Sequence, residues 1–273
     1  MRSTVLRALL LPVALLAPGA VKQASATTCA ASYTMTVVTA AGFSCTLGAL
    51  TFSSFEDVYT ATGPGASTPN PTANITVNFG EAMSGADPFG TLATGASPIY
   101  SVIASYTGGN SVGEFQSETG VVQYLVTDAT AGTAITEVDA AINGVAANTA
   151  TGTLNKNLCA NGQFEETGTT PNGVCASGSE LTAASALALS TPAGVQADGT
   201  PDWVGPFALS TIGIYDGWAL TGGTTSASAT ADFASVENDF IETTGLSTTP
   251  EPGTLAPLCG ALVGLSVIRR RRK

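Results

Sequence analysis

The sequence predicts an all-β protein: an antiparallel β-sandwich ectodomain, flanked by an N-terminal signal peptide and a short C-terminal transmembrane helix. Two observations carry the β reading. Apolar residues alternate with Thr, Ser, Ala and Gly over short runs, and turn-forming Gly, Pro and Asn separate those runs. No helical heptads and no internal repeat appear, which disfavours a solenoid. A third observation sets the limits, since both ends are apolar segments with basic flanks. Between them lie about 223 residues, enough for one large β-domain. The organisation reads as 1–26 signal peptide, 27–242 ectodomain, 243–249 linker and 250–273 tail.

In chain order, Tyr33–Thr39 reads as a first strand and Leu47–Phe55 as a second. Ala61–Ala73, with Gly63, Pro64, Gly65, Pro69 and Pro71, cannot sustain a ladder and reads as a loop. Asn74–Phe79 places Ile75, Val77 and Phe79 on one face of a strand. Ile99–Thr107 and Gly120–Thr127 read as a hairpin turned at Gly108-Gly109-Asn110. Ala134–Ile142 sets Val138, Ala140 and Ile142 on a buried face against Glu137 and Asp139. Asn143-Gly144 then suits a type I′ turn into a returning strand, Val145–Leu154.

Cys159–Cys175 brackets a Gly- and Pro-containing loop. Leu181–Leu189 is ambiguous between helix and strand, with strand favoured by context, and Val195–Pro206 reads as a loop. Ile212, Ile214, Trp218 and Leu220 alternate on one strand face. Gly222-Gly223 turns that strand, and Ala227, Ala229, Ala231 and Phe233 alternate on the way back, with Val236 and Phe240 extending it.

Four of the five cysteines lie in the body, at Cys29, Cys45, Cys159 and Cys175. They permit three connectivities. The spacing of sixteen positions within each local pair favours 29–45 and 159–175, although strands can also bring distant cysteines together. A zinc site lacks support, because there is no CxxC spacing and no histidine.

Arg2 and Arg7, the apolar stretch Ala8–Val21 and Ala24-Ser25-Ala26 form a secretory leader, to be cut by signal peptidase before Thr27. At the other end, Pro250, Glu251 and Pro252 precede sixteen uncharged residues, 253–268. Arg269, Arg270, Arg271, Arg272 and Lys273 then close the chain. At 1.5 Å per residue that segment makes about 24 Å of helix, a marginal span of a ~30 Å hydrocarbon core. The basic end resists translocation and stays cytoplasmic.

Pro-Glu-Pro, a short apolar segment and a terminal arginine cluster together resemble the PEP-CTERM sorting signal of exported Gram-negative proteins. Pro257 and Cys259 depart from the plainest form of the pattern. The resemblance implies processing by an exosortase, with a transient inner-membrane anchor and then a place at the cell surface, in the outer envelope or in the extracellular matrix. Phe207–Thr243 is also similar to a recurrent ectodomain of that family, in which a last β-hairpin precedes the signal. An ordinary membrane anchor behind a proline-rich stalk is the alternative.

Charge narrows the partners. Between Thr27 and Thr249 stand nineteen acidic residues and one cation, Lys156, a formal charge of −18. Such a body is repelled by nucleic acid and anionic membranes. The absence of histidine excludes Ser-His-Asp and Cys-His catalysis, and no P-loop, GxSxG or dinucleotide fingerprint is present.

Carboxylate neighbours Glu56–Asp57, Glu165–Glu166 and Asp198–Asp202 are the remaining catalytic candidates. Adjacent residues on a strand face opposite ways, so no enzyme is expected from them. Asp198 and Asp202 form an acidic turn that offers oxygen ligands to Ca²⁺, the one cofactor considered. Trp203 follows it as the candidate sugar-stacking contact. The expected function is a noncatalytic surface or matrix protein, with an envelope polysaccharide as its expected partner. A carbohydrate (exopolysaccharide)-binding module is the alternative, and a secreted hydrolase stands below both.

Overall fold

The computed structural model describes residues 26–63, 74–82, 98–130, 132–165, 171–181, 185–188, 194–197, 208–223 and 230–244. Residues 1–25 of the leader, Asp198, Asp202, Trp203 and the whole of 250–273 lie outside them. Among the described residues no helix is long and apolar enough to cross a membrane.

The fold is all-β, in two sheets. The first runs β1 (Thr27–Thr28), β3 (Ser44–Leu47), β4 (Leu50–Thr62), β7 (Ser117–Asp128), β12 (Thr211–Thr221), β9 (Thr151–Ala160), β10 (Ser185–Ala188). The second runs β11 (Gly194–Ala197), β8 (Thr133–Ala146), β13 (Ala231–Thr244), β6 (Ile99–Val112), β5 (Ile75–Ala82), β2 (Ser32–Thr34). Every ladder is antiparallel except β1 with β3. Alternation gives each sheet an apolar face, and these faces bury one another. Phe52 of β4 meets Phe79 of β5 at 5.3 Å and Phe240 of β13 at 5.8 Å, both edge-on across the layers. Each such ring contributes about 1.5–3 kcal/mol by leaving water.

One row shows how side-chain size is matched. Gly120 of β7 stands opposite both Tyr59 of β4 and Trp218 of β12. The two rings close over it at 5.7 Å, and a Cβ on Gly120 would lie 2.3 Å from the indole. The Trp218 Nε1–H also donates to the Tyr106 hydroxyl of the other sheet at 2.8 Å, so the indole cannot retreat freely. Gly120→Ala is therefore expected to lower stability by about 1–3 kcal/mol through overpacking. Urea melts check this, and an unchanged midpoint would refute it.

Several elements differ from the sequence reading. Tyr33–Thr39 is not one strand: β2 ends at Thr34, and Met35–Val38 forms a single helical turn, α1. Met35 and Val38 are buried while Val37 is 45% exposed, which is helical spacing rather than alternation. Leu47–Phe55 is also divided. Gly48, at φ +58, reverses the chain between β3 and β4, and its missing Cβ leaves room for the Tyr100 ring. Ala61 and Thr62, read as loop, continue β4 against Glu118 and Ser117. Val195–Ala197, also read as loop, belongs to edge strand β11. β10 lies in the ambiguous segment as a strand.

The three expected hairpins fail for a common reason. β6 and β7, β8 and β9, and β12 and β13 each fall in opposite sheets, so the chain crosses between layers where a hairpin was read. Gly108-Gly109-Asn110 lies inside β6, at the register slip that sets Asn110 opposite Phe233 and Ser105 opposite Ser235. Asn143-Gly144 lies inside β8. The turn comes at Ala147–Ala150, with Asn148 at φ 59. A bulge at the same place in β13 shifts its parity, so that Ala231 and then Val236 and Phe240 are buried. Ala227 and Ala229 lie outside the described residues, and β13 reaches Thr244, past the expected start of the linker.

Candidate functional site

Both disulfides form within the local pairs. Cys29 bonds Cys45 with Cα atoms 4.8 Å apart, and Cys159 bonds Cys175 at 5.3 Å. The second bridge pins a folded-back segment onto the outer face of the first sheet. Glu165 N–H donates to the Val174 carbonyl at 2.7 Å, and Ala176 N–H to the Gln163 carbonyl at 2.9 Å. Phe164 rests on Gly213 of β12, where a Cβ would lie 2.5 Å from its ring. Asn157 Nδ2 ties Gly173 to β9 at 2.8 Å.

A cleft of about 540 Å³ opens beside this segment, lined by Ser54, Glu56, Gln123, Leu125, Gln163 and Phe164 among others. It takes in one end of an outward-facing row set by register. Glu56 of β4 faces Gln123 of β7, which faces Tyr215 of β12, which faces Asn157 of β9. A bulge between Ser53 and Glu56 makes this possible. Ser54, at φ 54, takes the extra position, so Phe55 enters the core while Ser54 and Glu56 both face out. Gln123 is 9% exposed, and its Oε1 has no hydrogen-bond partner.

The inward face carries a second polar group, closed to solvent. Lys156 of β9 stands directly opposite Asp216 of β12, and the two charges are 3.7 Å apart. Asn238, from β13 of the other sheet, accepts from Lys156 Nζ and donates to Asp216 Oδ2. Burial pushes the Asp216 carboxyl above its ordinary value, against the pull of Lys156 and the two side-chain hydrogen bonds. Burial likewise raises Tyr106 and Tyr124 beside it. Lys156 and Asp216 are 2% and 0% exposed, so this group joins the sheets and meets no ligand.

A third group caps one end of the core. Glu242 of β13 and Asp128 of β7 approach from opposite sheets, next to Tyr100 of β6. Burial first, and then the Asp128 charge, push Glu242 up to about 7, against the hydrogen bond from Tyr100. The folded state thus holds a proton that the unfolded chain releases nearer 4.5. The stability this contributes is full below pH 4.5 and is lost as pH rises through about 7. Wild-type melting temperature should therefore fall between pH 5 and pH 8 more steeply than that of Glu242→Gln. Identical slopes would discount the pair.

Of the sequence candidates, Glu56 and Asp57 do not act together: Glu56 faces the cleft and Asp57 turns inward. Glu165 is exposed and Glu166 lies outside the described residues. So do Asp198, Asp202, Trp203, Pro250, Glu251, Pro252 and Arg269–Lys273. Asp139, read on an exposed face, is buried, opposite Asp239. Among the described residues no three His, Cys, Asp or Glu side chains gather to hold a metal. The cleft residues Gln123, Gln163 and Phe164 were missed, because they come from two segments far apart in the chain and none carries a motif.

No family model and no curated protein matches this chain. The functional reading therefore rests on its own residues.

Proposed function

We propose an exported, noncatalytic surface or extracellular-matrix protein, released from its leader by signal peptidase and held at the inner membrane by 253–268 until an exosortase acts near Pro250-Glu251-Pro252. One observation carries the reading: a two-disulfide β-body, suited to an oxidising compartment, stands between a leader and a three-part basic tail. A charge of −18 with no surface cation suits a soluble, self-repelling body in a cation-rich exterior. An envelope glycan is the partner this placement favours.

The mature protein is expected to begin near Thr27 and to lack Arg269–Lys273. Intact mass and C-terminal peptides of material recovered from the host envelope check this. A retained arginine cluster on most surface molecules would overturn the sorting reading. Deleting 250–273 should move the product from the envelope to the medium.

A further inference from the structure

We infer that the cleft between β4, β7 and the Cys159–Cys175 segment binds a neutral sugar. The inference stands apart from the sorting reading, since a sugar site and a processed tail can each fail alone.

The cleft is a built feature. Its volume, about 540 Å³, lies in the range of roughly 300–1,000 Å³ usual for small-molecule sites. Gln123 forms part of its lining, nine-tenths buried and held between β4 and β12, yet its Oε1 lacks a partner. A buried polar atom left so carries the full cost of its lost hydration, and a ligand hydroxyl would satisfy it. Ser54 holds a left-handed backbone, a strained conformation for a residue with a side chain. That conformation is what brings Ser54 and Glu56 to the same outer face.

The lining selects the ligand class. Glu56 is the one carboxylate in the lining and no cation stands beside it, since the sole cation of the body, Lys156, is buried in the core. An anion therefore has nothing to pair with and meets a strongly negative body. A bare divalent ion would find a single carboxylate to balance its charge, the other lining oxygens being neutral. A wholly apolar ligand would strand the carboxylate, two amides and hydroxyl. Hydroxyls both donate and accept, so a polyol matches this mixed set, while Phe164 and Leu125 offer apolar surface to ring C–H groups.

The test is an NMR titration of the exported protein, both disulfides intact, with methyl β-glucoside, methyl α-mannoside, methyl β-galactoside and cellobiose. Glucuronate and arginine amide serve as anionic and cationic comparisons. Saturable shifts are expected for at least one neutral sugar, confined to Ser54, Glu56, Gln123, Gln163 and Phe164. Gln123→Leu should weaken that affinity about tenfold or more. Glu56→Gln, at an exposed position that leaves folding intact, should weaken it too. No saturable shift with any neutral sugar overturns the inference. So does binding of arginine amide alone, or sugar binding that neither variant changes.

Discussion

Lys156→Met is expected to lower stability by about 3–5 kcal/mol, because it leaves the Asp216 carboxyl charged, buried and without its counter-ion. The loss should be smaller in acid. Burial already raises Asp216 above the usual carboxylate value, and without Lys156 it rises further, so protonation relieves the variant at a pH where wild type gains less. A raised folded-state carboxyl contributes stability below its unfolded pKa and loses it as pH climbs. The second substitution in Lys156→Met/Asp216→Asn should restore much of the loss, since an amide can still accept from Asn238 without carrying charge. Urea melts at pH 5 and pH 8 measure all three proteins. A single variant within 1 kcal/mol of wild type at pH 8, or a double variant no better than the single one, would show that the two buried charges do not depend on each other.

That group was half visible in the sequence. Alternation that puts Ile212, Ile214, Trp218 and Leu220 inward puts Asp216 inward as well, and Lys156 sits between Leu154 and Leu158 in the same way. Two opposite charges at core parity, in a body with one cation, imply each other. What period-2 patterning cannot supply is the partner strand: nothing local says that β9 lies beside β12, or that Asn238 arrives from the other sheet. The failed hairpins have the same origin. Glycine and asparagine signal that the chain can turn or kink, but a turn within one sheet and a crossing between two use the same residues. Strand existence was therefore legible from Ile75-Val77-Phe79 and from the β12 face, while strand pairing was not. The cleft lay beyond sequence reading altogether, since Ser54, Gln123 and Phe164 meet only through a bulge, a register and a disulfide.

Removing the second bridge should show how far the outer face depends on it. Replacing Cys159 and Cys175 with alanine is expected to cost about 3 kcal/mol on the chain-entropy model, the value for closing a loop of about fifteen residues. The change in the native state should be local. Cys159 is anchored in β9, at 0% exposure, with partners on β12, so the sheet persists. The segment beyond it is then left to the Glu165–Val174 and Ala176–Gln163 backbone bonds, the Asn157–Gly173 bond and Phe164 on Gly213, and these should open more often. Hydrogen exchange at Glu165 and Ala176 should rise, while Ile212 and Ile214 of β12 keep their protection from the β7 side. Sugar-induced shifts should weaken together with that opening, because Gln163 and Phe164 form the cleft wall. The Cys29–Cys45 bridge closes a loop of equal sequence separation but lies on the β1 edge, so its removal should leave exchange around the cleft unchanged. If both double-alanine variants alter the cleft equally, or if neither does, the second bridge does not hold the wall in place.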